Sequence, residues 1–255
     1  MRNARKKIMA VGALLVVCLM VFCCCGAPGE ASPQNGTGQV TMSQPGDAGA
    51  AAKNAEPQEE DVQDAAAQPG VMQALQSVIA GETEFFETGL EKKLNIADLR
   101  QVVSTDSEVT VEVEDFTVMD LDDDGSGEVV LWLSVNGNEY YGCEVLHEED
   151  QQVYGYCIPY RAFNSLKEDK TFTFSSGAGN TGIGIMKFDK TVYEIEKIVL
   201  SEVSYDEDNN PSVGFHVKGK QASQQDFNAE MEKQNEKKDA VRYGFTDQNV
   251  EAYIR

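Results

Sequence analysis

Within DLDDDGSGEVVL, Asp120, Asp122 and Asp124 alternate along the chain, Gly125, Ser126 and Glu128 follow, and an apolar run begins at once. Alternate residues of a tight loop point to one side, so three carboxylates at this spacing converge on a single hard cation. Gly125 at the sixth position permits the sharp turn. Ser126 at the seventh offers its backbone carbonyl, and Glu128 at the ninth supplies a fourth carboxylate. The chemistry this suits is oxygen coordination of a structural calcium ion, with a dissociation constant of roughly 10⁻⁴ to 10⁻³ M, as in extracellular modules. The alternative is a solvated acidic turn. A second acidic turn, with Asp206, Asp208 and Asn210, lacks a closing ligand and reads as a turn only.

Other chemistry is sparse. His147 and His216 are the only histidines, which excludes a zinc site built from several imidazoles. Neither H-E-x-x-H nor G-x-S-x-G occurs, so no catalytic motif is present and a non-enzymatic role is expected. Gly177, Gly179 and Gly182 match G-x-G-x-x-G, but IGIMKFDK behind them alternates like a strand, whereas a dinucleotide site needs a helix there. Cys143 and Cys157 fall on neighbouring expected strands. A three-residue loop at Glu149 to Gln151 would set them opposite and permit a disulfide, while a loop of two or four residues would not. Tyr140, Tyr141, Tyr154 and Tyr156 offer either a carbohydrate-binding face or ordinary cross-strand packing.

An EF-hand would require a bidentate Glu at the twelfth position, which here is Leu131 inside an expected strand, and helices on both sides. The acidic loop instead resembles the D-x-D-x-D-G-x-x-[DE] loops between strands of integrin-like β-propeller repeats. In those loops the ninth residue closes the site and a strand follows.

These residues must be held by surrounding elements, and the period of the apolar pattern names them. VMQALQSVIA has helical spacing, and NIADLRQVV reads as a short helix capped near Asn95. The period then changes to two. EVTVEVEDFTVM alternates as a half-buried strand does, and EVVLWLSV reads as a central strand. Asn136-Gly137 is a strong hairpin signal. Further strands are expected in NEYYGCEVLH, QVYGYCIPYRAF, TFTFSS, TGIGIMKF, TVYEIEKIVL and PSVGFHV, and Ser223 with Asp226 forms a capping-box pattern for a helix through QDFNAEMEKQNEK. The fold expected is α+β, an antiparallel β-meander sheet with short helices at the N- and C-terminal ends.

Residues 71–255 form this single domain, since every aromatic residue except Phe22 lies beyond Gly70. Residues 26–70 are rich in Ala, Gly, Pro, Gln, Asp and Glu and read as a disordered tether. Residues 1–25 open MRNARKK and continue as an uncharged apolar run ending FCCCG, the pattern of an export signal. The segment resembles a bacterial lipoprotein signal, which implies lipidation at Cys25, with Cys24 as the alternative. A simple signal or an uncleaved anchor is the competing reading. The formal net charge of -22 becomes about -26 once the leader's four positive charges are removed. That excess argues against nucleic acid and anionic lipid as partners.

From Phe116 onward, DLDDDGSGEVVLWLSVNGNEYYGCEVL, VYGYCIPYRAFNSLKEDKTFTFSSGAGNTGIG and SYDEDNNPSVGFHV resemble exported lipoproteins of gut clostridia. The resemblance implies a protein anchored by lipid on the outer face of the cytoplasmic membrane in a Gram-positive-type envelope, and it brings no catalytic residues with it. The function expected is a β-rich domain binding an unknown protein or carbohydrate. A purely structural envelope protein and an exported hydrolase are the alternatives.

Overall fold

Helix α1 (Pro69–Ile79) carries Val71, Met72, Leu75, Val78 and Ile79 on one stripe, all buried. A single apolar stripe of this kind is stable only against a partner surface, and the partner is a seven-stranded sheet. The computed structural model describes residues 69–177 and 179–254. The expected leader, its cysteines Cys24 and Cys25, and the expected tether up to residue 68 lie outside the described residues. Pro69 and Gly70, assigned to the tether from composition, belong to α1.

Strands β1 (Phe85–Glu87) and β2 (Lys92–Leu94) follow α1, and then a 3₁₀ turn (Ile96–Asp98) with Asn95 as its cap leads into α2 (Arg100–Val103). The meander runs through β3 (Val111–Met119), β4 (Glu128–Val135), β5 (Asn138–Glu149) and β6 (Gln152–Pro159). A second run comprises β7 (Phe172–Gly177), β8 (Asn180–Asp189), β9 (Val192–Tyr205), β10 (Pro211–Val217) and β11 (Lys220–Gln221). Helix α3 (Gln224–Glu236), strand β12 (Tyr243–Gly244) and helix α4 (Asp247–Tyr253) close the chain. The fold is α+β, mostly sheet, with short helices at both ends.

Where one meander is expected, the strands divide between two sheets. The first has the order β12-β3-β4-β5-β6-β1-β2 and the second β11-β10-β9-β8-β7. Every pairing is antiparallel except β1 with β6. The division gives three apolar layers. Val130, Trp132, Val145 and Ile158 of the first sheet pack against Phe172, Phe174 and Met186 of the second. The other face of the first sheet packs against α1 through Val129, Leu131, Leu133 and Leu146. Helix α3 covers the second sheet's far side by setting Phe227 against Phe215, ring centroids 5.3 Å apart. Strand β4 is thus buried on both faces, as its unbroken apolar run requires.

Both expected local signals are formed. Asn136 and Gly137 take φ of 52° and 76° and pair Val135 with Asn138, the positive φ values that a two-residue hairpin turn demands. Ser223 and Asp226 make the reciprocal capping box at the start of α3. The Gly-rich segment is the hairpin between β7 and β8, with Gly177 opposite Asn180.

Candidate metal centre

The acidic loop is the connection between β3 and β4, closed at its base by the pairing of Met119 with Glu128. Leu121 is fully buried in the layer between the sheets and pins the loop there. The aspartates then organise the backbone themselves. Asp120 Oδ1 accepts the Asp123 N–H at 2.8 Å, Asp122 Oδ1 accepts that of Asp124 at 3.1 Å, and Asp124 Oδ1 accepts that of Ser126 at 2.6 Å. Gly125 sits at φ +90° with open space where a Cβ would be, so the backbone angle explains glycine here.

Glu128 is fully buried. One of its oxygens accepts the Leu121 N–H at 2.6 Å and the other lies 3.0 Å from Nδ1 of His147. His147, from β5, is itself buried and stacks on Phe188 with centroids 4.8 Å apart. Two sets of ligand atoms fall within metal-binding spacing, the atoms of each set lying within 4.8 Å of one another. One set is Asp120, Asp122 and Glu128, and the other is Asp122, Asp124 and His147. Asp122 is common to both. Three of the four expected carboxylates, Asp120, Asp122 and Glu128, are therefore brought together, Asp124 meets Asp122 beside an imidazole instead, and Ser126 sits buried next to the loop, its N–H bonded to Asp124.

The electrostatics are those of a site short of positive charge. Burial pushes the Glu128 carboxyl up to about 7, against the pull of His147 and the Leu121 amide. Burial and the neighbouring Asp124 raise Asp122. Burial alone would lower His147, but Glu128, Asp122 and Asp124 outweigh it and hold the imidazole above its ordinary range. Two lysines supply part of the missing charge from the rim. Lys170 bonds Asp123 and lies 3.5 Å from Asp120, and Lys187 donates to the Asp122 carbonyl. The residues fit a cation that prefers oxygen and tolerates one nitrogen.

His147 was not legible as part of this site. Counting back from the Asn136-Gly137 turn in regular register puts Val145 opposite Glu128. A bulge between Leu133 and Val135 shifts the ladder, so that Val129 pairs with Leu146 and His147 falls beside Glu128.

The remaining expected features resolve differently. Glu149 pairs with Gln152, so the β5–β6 turn has two residues, Asp150 and Gln151, at φ of 54° and 67°. Cys143 therefore pairs with Ile158, and Cys157 pairs with Glu144. This offset corrects the expected disulfide: the cysteines lie on opposite faces of the sheet, and both are free. The tyrosines do not share a face either. Tyr141 packs toward the α1 side, while Tyr154 and Tyr156 pack between the sheets. Tyr156 also donates to the Lys190 carbonyl. The Tyr140 side chain lies outside those described. Asp206 accepts the N–H groups of Asp208 at 3.0 Å and Asn210 at 2.8 Å, so the second acidic segment is a self-capped turn. Comparison of the chain with protein-family models, curated proteins and solved structures finds no match, so the acidic loop and His147 are read from their own geometry.

Proposed function

We propose that the protein is an exported, lipid-anchored envelope protein whose β-rich domain binds a ligand or partner, and that the Asp120–Glu128 loop holds a calcium ion in a structural role. The observation that carries the metal reading is the convergence of Asp120, Asp122 and buried Glu128 in the β3–β4 connection of the first sheet. An ion there stiffens a turn anchored by Leu121 and performs no chemistry. The leader's composition and the resemblance to clostridial lipoproteins support the anchor and the extracytoplasmic location. Millimolar calcium outside the cell suits a loop of this affinity class.

Thermal melting of the full chain with and without calcium tests the reading. At one hundred times the dissociation constant, binding stabilises the fold by about 2.7 kcal/mol. For a domain of this size that is a rise in Tm of about 5 to 10 °C. Asp122→Ala abolishes the rise, because Asp122 belongs to both ligand sets. An unchanged Tm, or an equal rise in the variant, refutes it. The nearness of His147 to Asp122 and Asp124 favours a second reading, a borderline cation such as Mn²⁺ or Zn²⁺. The same melts with those ions separate the two, since only the second predicts a larger rise than calcium and its loss in His147→Ala.

A further inference from the structure

The α1 side of the first sheet carries two buried acids that the metal loop does not use. On β5, Glu144 is fully buried, and neither carboxylate oxygen has a hydrogen-bond partner among the described residues. Its Oε1 lies over Gly155 of β6. A Cβ at that glycine would sit 2.3 Å from Oε1 and 2.5 Å from the Phe85 ring, so the glycine leaves the gap that acid and ring share. Glu87, two residues after Phe85 on β1, pairs with Gly155, is 1% exposed and accepts the Leu90 N–H. Alternation along the strands puts Phe85, Glu87, Glu144 and Cys157 on one face.

The ionisable groups around the pair do not offset its charge. Burial, with Glu144 and Glu87, pushes the Cys157 thiol up to about 12, which keeps it neutral. Lys92, opposite Glu87 on β2, is exposed and donates its ammonium to Gln101 at 2.7 Å. Helix α1, PGVMQALQSVI, has no ionisable side chain. A carboxylate buried without a cation is far costlier than the neutral acid. Burial first and Glu87 second therefore raise Glu144 well above the carboxylate range, and the closed site holds the protonated form.

The weakest attachment beside Glu144 is β1. This strand is three residues long and meets β6 through two pairs, Phe86 with Tyr154 and Glu87 with Gly155. The Thr88 N–H adds a bond to the Gly155 carbonyl at 3.0 Å. Strand β5, by contrast, is paired with β6 from Gly142 to Glu149 and with β4 on its other side. Separating β1 from β6 takes both the Phe85 ring and the Glu87 carboxyl away from Glu144. It also admits water from the half-open cleft of about 230 Å³ that Glu87, Leu90 and Cys157 line.

We propose that β1 is a pH-sensitive latch: loss of the Glu144 proton to solvent lifts the β1–β2 hairpin off β6 while β3 to β6 stay paired. Because the closed state holds the proton, the latch is at full strength below the ordinary glutamate value of 4.5 and weakens as pH rises toward the raised one. Each pH unit in that window favours opening by about tenfold. The latch is separate from the metal loop and stands without it. Hydrogen exchange of the ¹⁵N-labelled full chain tests it, with protection taken relative to the unstructured-chain rate at each pH. The Thr88 amide should be less protected than the amides of β4, and between pH 6 and pH 8 it should lose protection on the order of tenfold or more. Glu144→Gln and Glu144→Met cannot ionise, and Met leaves no polar atom buried; in both, Thr88 should keep the same protection at the two pH values. A Thr88 amide as protected as β4, protection that does not change with pH, or an equal loss in both variants overturns the proposal.

Discussion

Glu144 is the residue whose environment departs furthest from its chemistry, and its titration makes that measurable. Its folded pKa is raised above the ordinary value of 4.5 by burial first and by Glu87 second. A raised carboxyl favours the fold in full below its unfolded pKa, and this contribution is lost as pH rises toward the folded value. Each pH unit in that window removes roughly 1 kcal/mol from one such group. Glu144→Gln keeps the shape and removes the titration. In denaturant unfolding, the variant should lose less stability than the wild type between pH 5 and pH 8, by at least about 1 kcal/mol. Glu128 and His147 also titrate, but they do so equally in both proteins and drop out of the comparison. Parallel pH profiles would show that Glu144 is already neutralised by a partner in the fold. None of this was legible beforehand, because an acid at alternate position in a strand reads as solvent-facing until distant strands, here β6 with Gly155 and β1 with Phe85, close around it.

Local elements were the most legible level. The apolar run EVVLWLSV, the Asn136-Gly137 turn and the Ser223/Asp226 box each specify their structure through contacts close in sequence, and each is formed. Ser223→Ala removes the N-cap acceptor of α3 and should cost about 0.5 to 2 kcal/mol, read from urea unfolding. Since α3 covers the second sheet through Phe227 and Met231, the loss should be accompanied by faster amide exchange in α3. A variant as stable as the wild type would mean that tertiary packing alone holds the helix. What escaped the sequence depended on distant partners. Strand β1 is three residues long and pairs in parallel with β6, far along the chain. The β5–β6 turn adopts positive φ at Asp150 and Gln151 without glycine. That one unreadable turn decided the cysteine register, and the bulge in β4–β5 decided the position of His147.

At the scale of the molecule, the acidic loop bridges layers. Its base belongs to the first sheet, Leu121 lies between the sheets, Lys187 of β8 reaches it from the second, and Phe188 of β8 stacks on the neighbouring His147. A cation held there would couple the two sheets rather than only order a surface turn. The spacing of Asp120, Asp122, Asp124 and Glu128 was legible from the chain because a loop's ligands are local. The contribution of the second sheet was not. The most direct measurement is equilibrium dialysis of the full chain against millimolar calcium, with metal content determined per chain. The wild type should retain one ion per chain that Asp122→Ala does not retain. Equal retention by both proteins, or none by either, would contradict the assignment of this loop as a calcium site.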